Sequence, residues 1–271
     1  MRRLYAAPLL TAAALLVVAP AAPVFAQDDP KAVAVLRFDN DTGDPKYDNL
    51  GRGLASMMIS DLSVLAGVQL VERQRLEELQ QELDFQQSPY ADPASAQQMG
   101  MFVGAEFVVT GAFMSLEPDM RLDTRIVRVE SSEIMKTAEV AGPRDQLFEL
   151  QQRLADEFID GLDLVLTAED RERLRAQQEA NRMSSIEAVL GFSTALCLAD
   201  NGYYVEAFEQ IQEVRESDPG SGVVGATLEL LRERAEDEAK NRLVEEAGRR
   251  IGGLFGRSRE PQRTSNEDAG C

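Results

Sequence analysis

The hydrophobic pattern of this chain mixes strand and helix spacings up to Pro143 and is helical alone beyond it, and that division limits the folds open to it. Before Pro143, short apolar runs alternate with helical stripes. Residues 32–38 (Val33, Val35 and Phe38 with Ala34 and Leu36) read as a buried strand. From Asp48 to Leu65 the residues Leu50, Leu54, Met58, Leu62 and Leu65 recur at helical spacing. "GVQLVER" is a second strand, and Arg75 to Phe85 is an amphipathic helix with Leu76, Leu79 and Leu83 on one face. A loop containing Pro89 leads to a short helix that Asp92 caps ahead of Pro93 in its first turn. "EFVVTGAFM", "MRLDTRIVRVE" and "EIMKTAEVA" are three further strands, the first two joined by "LEPD". In the middle one Met120, Leu122, Thr124 and Ile126 alternate with Arg121, Asp123 and Arg125, so one face is buried and the other wet. The expected fold class is α/β, a mixed sheet with packing helices, over residues 27–166.

After Pro143 only three- and four-residue spacings remain. Leu147, Leu150, Leu154, Phe158 and Leu162 form one stripe, expected to pack back on the sheet. "TAEDRERLRAQQEANR", residues 167–182, is charged and poor in apolar residues, which suits a solvated connecting helix. Two helices follow around "DNGYY", then a long one from about Val223 to Arg250. Its stripe (Leu228, Leu231, Ala235, Ala239, Leu243, Ala247, Ile251 and Leu254) contains small residues, which favours a packing face within the molecule over a coiled coil. An all-α module is therefore expected over residues 167–254. Residues 255–271 are too polar to pack and read as a disordered tail.

Residues 1–26 read as a secretory signal. Arg2 and Arg3 precede an apolar run from Leu9 to Ala22, and Val24 and Ala26 stand where a signal peptidase reads, placing the cut between Ala26 and Gln27. The rival is an uncleaved anchor; Pro8, Pro20, Pro23 and the small residues before Gln27 favour cleavage. No Cys stands at the start of the mature chain, so no lipoprotein signal is expected. Losing Arg2 and Arg3 takes the formal charge from −19 to −21. A chain that acidic is repelled by nucleic acid and by anionic lipid. The expected location is the periplasm, with outer-membrane association open and membrane contact at most peripheral.

The chain has no His and two Cys, which excludes His acid–base catalysis, Ser-His-Asp and Cys-His arrangements and nearly all zinc sites. Cys197 reads as a small buried residue, and Cys271 as an inert terminus or a source of an intermolecular bridge. The loop "DNDTGDP", residues 39–45, is the one acidic cluster at a strand end. Counted from Asp39, Gly43, Asp44 and Leu50 fall where an EF-hand needs Asp or Asn, Gly and Glu. Asp39, Asp41 and Asp44 would repel a phosphate. Asp39 and Asp41 have the spacing of an aspartyl nucleophile with a helper, so a carboxylate-dependent hydrolase stays as the alternative. The preferred reading is a turn made by Asn40, Asp41 and Gly43, with Asp48 or Asn49 capping the next helix. No catalytic, cofactor or metal residue is expected, and the protein is read as not an enzyme.

"AVLRFDNDTGDPKYDNLGRGLASMMISDLS", "VQLVERQRLEELQQEL", "DPASAQQMGMFVGAEFVVTGAFM" and "RIVRVESSEIMKTAEV" resemble the curli assembly and secretion (CsgG) family and the related amino-terminal domain of TolB. Glu72 and Arg73 match the Glu-Arg step that ends the family's second strand; Gly104, Ala105 and Glu106 match the step that opens the third, which ends at Gly111. From the residues alone, Glu72 and Arg73 are a surface pair, Gly104 a helix C-cap and Gly111 a bulge or close approach. The resemblance covers roughly residues 32–165 and supplies no catalytic residue. It implies a secretory or scaffolding role. Pore-forming members carry long amphipathic hairpins between their strands, and no such length stands between "GAFM" and "MRLD" or after "EVAGP". No pore is expected.

"NGYYVEAFEQIQEVRESDP" is similar to the second half of a tetratricopeptide repeat, with Gly202, Tyr204, Ala207, Phe208, Ile211 and Pro219 at the motif positions. The preceding helix fits the first half less well, giving one repeat over about 186–219. One repeat must pack on something else, since solenoids need about three. The resemblance implies a protein-contact module, and Tyr203 and Tyr204 are its candidate contacts, with Tyr204, at the motif position, expected as the core residue of the two. Arg249, Arg250, Arg257 and Arg259 around Phe255 form a basic, apolar patch that could touch lipid or an acidic partner. The expected function is that of a periplasmic scaffold or accessory of curli-type outer-membrane assembly or secretion. Its partners would be envelope proteins, a homo-oligomer stays open, and a ligand-sensing domain is a further alternative.

Overall fold

The computed structural model describes residues 29–82, 92–116, 118–252 and 270–271. The signal segment, the Pro89 loop and Phe255 lie outside them, and so do the side chains of Arg249 and Arg250. Five strands form one sheet: β1 (Lys31–Asn40), β2 (Val68–Leu70), β3 (Phe107–Leu116), β4 (Asp119–Arg128) and β5 (Glu133–Pro143). Their order is β2-β1-β3-β4-β5. β1 runs parallel to β2 and β3, while β3, β4 and β5 form an antiparallel meander. The helices are α1 (Leu50–Leu62), α2 (Arg73–Glu82), α3 (Pro93–Val103), α4 (Leu147–Gly161), α5 (Ala168–Asn181), α6 (Ile186–Asp200), α7 (Tyr204–Ser217) and α8 (Gly222–Gly252).

The sheet is covered on both faces. Val33, Val35, Phe107, Val109, Met120, Leu122 and Ile126 pack with α1 and α4, and the five-residue stripe of α4 is buried throughout. Ala34, Leu36, Val108, Val127 and Val129 pack on the other side with α2 and α3. The wet face expected for β4 is therefore wet only in part: Val127 lies under α3, and Asp123 is buried in the grip of Arg121, whose Nη2 is 2.7 Å from Asp123 Oδ1.

Local chemistry explains the joints. Asp92 accepts from the N–H groups of Ala94 and Ser95, and Gly104 ends the same helix in the left-handed region at φ 71°. Gly111 is a close approach: a Cβ there would sit 2.3 Å from the Phe38 ring, and the β1–β3 register shifts just before Phe38.

The helical region is continuous with this core. Thr167 and Asp170 close a capping box on α5. α5 is more than a solvated connector, because Leu174, Gln178 and Asn181 are buried against α1. α6 presses on α1 at Gly53, where a Cβ would fall 2.0 Å from Ser193 Oγ. α7 and α8 add to α6 in turn.

Three expectations are corrected. α8 packs through Val223, Val224, Leu231 and Ala235, but Ala239, Leu243 and Val244 are exposed. α7 has 14 residues against 31 in α8, so its length runs out near Ala235. Cys197 and Cys271 are neither free nor intermolecular; they form one disulfide across 74 positions of this chain. The last residue is therefore no loose tail end. Asn49 donates from Nδ2 to the Cys271 carbonyl at 3.0 Å, and Asn201 lies against both sulfurs.

Candidate partner-contact site

The loop after β1 is built as a turn. Asn40 Oδ1 accepts from Thr42 N and Oγ1, and Asn40 Nδ2 donates to the Asp44 carbonyl and to Asp48 Oδ1 at 2.7 Å. Thr42 Oγ1 in turn accepts from Asp44 N, Gly43 takes a left-handed φ of 72°, and Asp44 caps the short turn of helix Pro45–Tyr47. Asp39 pairs with Ala112 at the end of β1, and Asp41 is exposed on the turn. The helix cap differs from expectation. Asn49 stands at the N-cap of α1 without a side-chain cap bond, because its amide is committed to Cys271 and its Oδ1 to Arg52.

Arg73 has a partner that its neighbourhood in sequence does not reveal. Its Nη1 lies 2.7 Å from Asp200 Oδ2, at the end of α6, rather than on Glu72. Arg52 on α1 adds its Nε at 3.3 Å from the same oxygen and 3.8 Å from Glu77 Oε2 on α2. Arg37 completes the group at 3.9 Å from Glu77. The side chains of Asp200 and Glu77 are 1 % and 5 % exposed, so this is an interior cluster, not the surface pair expected. Burial pushes the Glu77 carboxyl above its usual range; Arg52 opposes that and the charge of Asp200 adds to it. The cluster ties β1, α1 and α2 to the helical region.

A second polar knot lies between α1, α4 and α5. Asp61, fully buried, accepts from Gln151 Nε2 and Asn181 Nδ2, each at 2.7 Å. No cation is among those partners. Burial raises its pKa above the usual 3.8, and the two amide donors pull back against it. A carboxyl whose folded pKa is raised adds stability that is complete below its unfolded value and is lost as pH rises through the folded one. Unfolding by denaturant of the parent and Asp61→Asn should therefore converge or cross in the parent's favour as pH falls from neutral toward 4. The Gln151 Oε1, buried without a hydrogen-bond partner, can turn to accept from the new amide, so the variant should fold. Parallel stability curves would show that Asp61 is ordinary.

Tyr203 and Tyr204 are both half-buried against the core, so the sequence reading that set Tyr204 apart as the core residue finds no contrast between them. Tyr204 carries Arg234 over its ring at 5.4 Å, and Arg234 donates to Gln74 on α2 at 2.9 Å. The aromatic pair thus adjoins the same joint as the Asp200 cluster. Arg52, Glu77, Asp200 and Asp61 escaped the sequence reading, although Leu174, Gln178 and Asn181 do fall on one helical face and mark where α5 is covered.

The sheet order, the Glu72-Arg73 step, the Gly104 cap and the Gly111 approach now stand together. Residues 18–121 match the family model of the curli production assembly/transport component CsgG. The CsgG match is shorter at its far end than the resemblance read from the motifs, stopping within β4. A putative adenylate cyclase 3 of Rhizobium meliloti is 21 % identical over 209 residues, 74 % of this chain. The chain spans about a third of that relative's length, 32 %. Among solved structures, the LpoB C-terminal domain from Salmonella enterica is 18 % identical, with 44 % of this chain and 87 % of that chain covered at a TM-score of 0.36. TolB from Acinetobacter baumannii is 15 % identical over 50 % of this chain and 29 % of its own, with a TM-score of 0.35. A PelC dodecamer from Paraburkholderia phytofirmans is 14 % identical over 52 % of this chain and 93 % of its own, with a TM-score of 0.32. The CsgG segment supplies β1 to β3 and the start of β4; the helical region lies beyond it.

Proposed function

We propose that this protein is a non-enzymatic scaffold or accessory of curli-type assembly or secretion in the bacterial periplasm, and that it binds envelope proteins without forming a pore. What supports this most is the CsgG match on a sheet with short connections. β3 ends at Leu116 and β4 begins at Asp119, and β5 passes through the turn of helix Arg144–Gln146 straight into α4. A membrane-spanning strand needs about 9–11 residues, and a hairpin about twice that beyond the soluble sheet. Among the described residues neither joint has that length. The disulfide supports an oxidising compartment. Purified protein lacking residues 1–26 should leave a planar bilayer electrically silent. Discrete, reproducible openings would overturn the accessory reading in favour of a channel.

The helical region is the partner-binding part in this reading, with the α6–α7 hairpin working as a tetratricopeptide-like contact module and Tyr203 at its rim. Pull-down from envelope extract with the same protein as bait tests it. Tyr203→Ala should lose the recovered partner several-fold, whereas Asp39→Asn with Asp41→Asn should keep it. A protein that binds normally with Tyr203→Ala, or that loses all function with the Asp pair changed and the fold intact, would sink it, the second result favouring a hydrolase.

A further inference from the structure

At the end of the sheet opposite the Asn40 turn, three adjacent strands place Lys31, Phe107 and Arg128 together. Phe107 is the register partner of Arg128 and of Val33, two residues after Lys31. The Lys31 ammonium lies 5.6 Å from the Phe107 ring centre and the Arg128 guanidinium 5.8 Å from it. They border a recess of about 370 Å³ whose other charged members are Glu106 and Glu130, both exposed. The chain carries a net charge of −19, yet among the described residues no carboxylate lies within ion-pair distance of Lys31 or Arg128, and Arg128 Nε is buried without a hydrogen-bond partner. One Lys31 hydrogen caps α4 through the Leu162 carbonyl, which leaves two.

We infer that this recess binds a small zwitterion of the amino-acid class. Its carboxylate sits on Arg128 and Lys31, and its ammonium faces Glu106 and Glu130. Two cations on an aromatic floor suit a carboxylate, because a guanidinium can offer it parallel donors and the low-dielectric floor strengthens both contacts. The two rim carboxylates oppose a plain anion and favour a ligand that carries a positive end. The volume is at the lower end of the range of small-molecule sites, enough for a free amino acid. The proposal stands apart from the scaffold reading, since none of the recess residues belongs to the helical region.

Amide-resolved NMR titration with L-alanine, and with acetate and ethylammonium as half-ligands, tests this on protein lacking residues 1–26. L-alanine should shift the amides of residues 106–107 and 128–130 in a saturable way, and both half-ligands should bind at least about tenfold more weakly, since each loses charged hydrogen bonds. Arg128→Gln should weaken L-alanine about tenfold and acetate in the same proportion. Glu130→Gln should weaken L-alanine alone. Lys31→Gln serves if Arg128→Gln does not fold. No shift at millimolar L-alanine, acetate binding as well as L-alanine, or binding indifferent to both cation variants would overturn the assignment.

Discussion

Asp200→Ala should lower the unfolding free energy by about 3–5 kcal/mol, among the largest single-residue effects in the molecule. The loss is not the worth of a salt bridge. It is the cost of leaving Arg52 and Arg73, whose side chains are 13 % and 12 % exposed, facing each other with Glu77 as their remaining buried anion. The double variant Asp200→Leu, Arg73→Met should recover most of that loss, because an apolar pair removes both desolvated charges at once. Chemical denaturation of the parent, Asp200→Leu, Arg73→Met and the double variant closes the cycle. Additive losses would mean that the two residues do not depend on each other, and that the helical region is held on the sheet by its other contacts.

Reduction, or Cys197→Ala, should cost about 2–4 kcal/mol and shift the thermal transition down by several degrees. The bridge closes a loop of 74 positions, and the entropy of closing so long a loop in the unfolded chain reaches about 4 kcal/mol in the chain-entropy account. The Asn49 contact to Cys271 should be lost with it, so the N-terminus of α1 should gain amide exchange in parallel. A variant that melts with the parent would show that the bridge ties down nothing of consequence. Free-thiol titration before and after denaturation identifies the native state of both sulfurs.

Period-two and helical stripes revealed the strands and α4 because those residues bury one side against a layer they do not need to identify. The Asp92-Pro93 start of α3 was legible for a similar reason: a cap is satisfied within three residues. The joint between sheet and helices was not. Arg73 finds Asp200 at a separation of 127 positions, and no local pattern distinguishes such an arginine from a solvated one. α5 looked solvated because it packs with Leu174 and two amides rather than with an apolar stripe. The polar run before Cys271 said nothing about a covalent tie, since a disulfide needs only that two sulfurs meet. β4 was read as one-sided because the pattern of its first half was extended over Val127 and Val129.

The position of β1 between β2 and β3 has a bearing on the order of assembly. The β3–β4–β5 meander and the α6–α7 and α7–α8 pairs join neighbours in sequence, and contacts of that kind form within microseconds. β1 cannot. Val33 must find Phe107 across the whole of α1, β2, α2 and α3, and the chain entropy of that closure is lost before any hydrogen bond returns it. Until then "VAVLRF" is a short, apolar, β-prone segment with a single charge, the kind that pairs with copies of itself. A refolding chain should therefore show a concentration-dependent slow step centred on this strand, and the segment synthesised before the rest of the sheet is the one that closes it last.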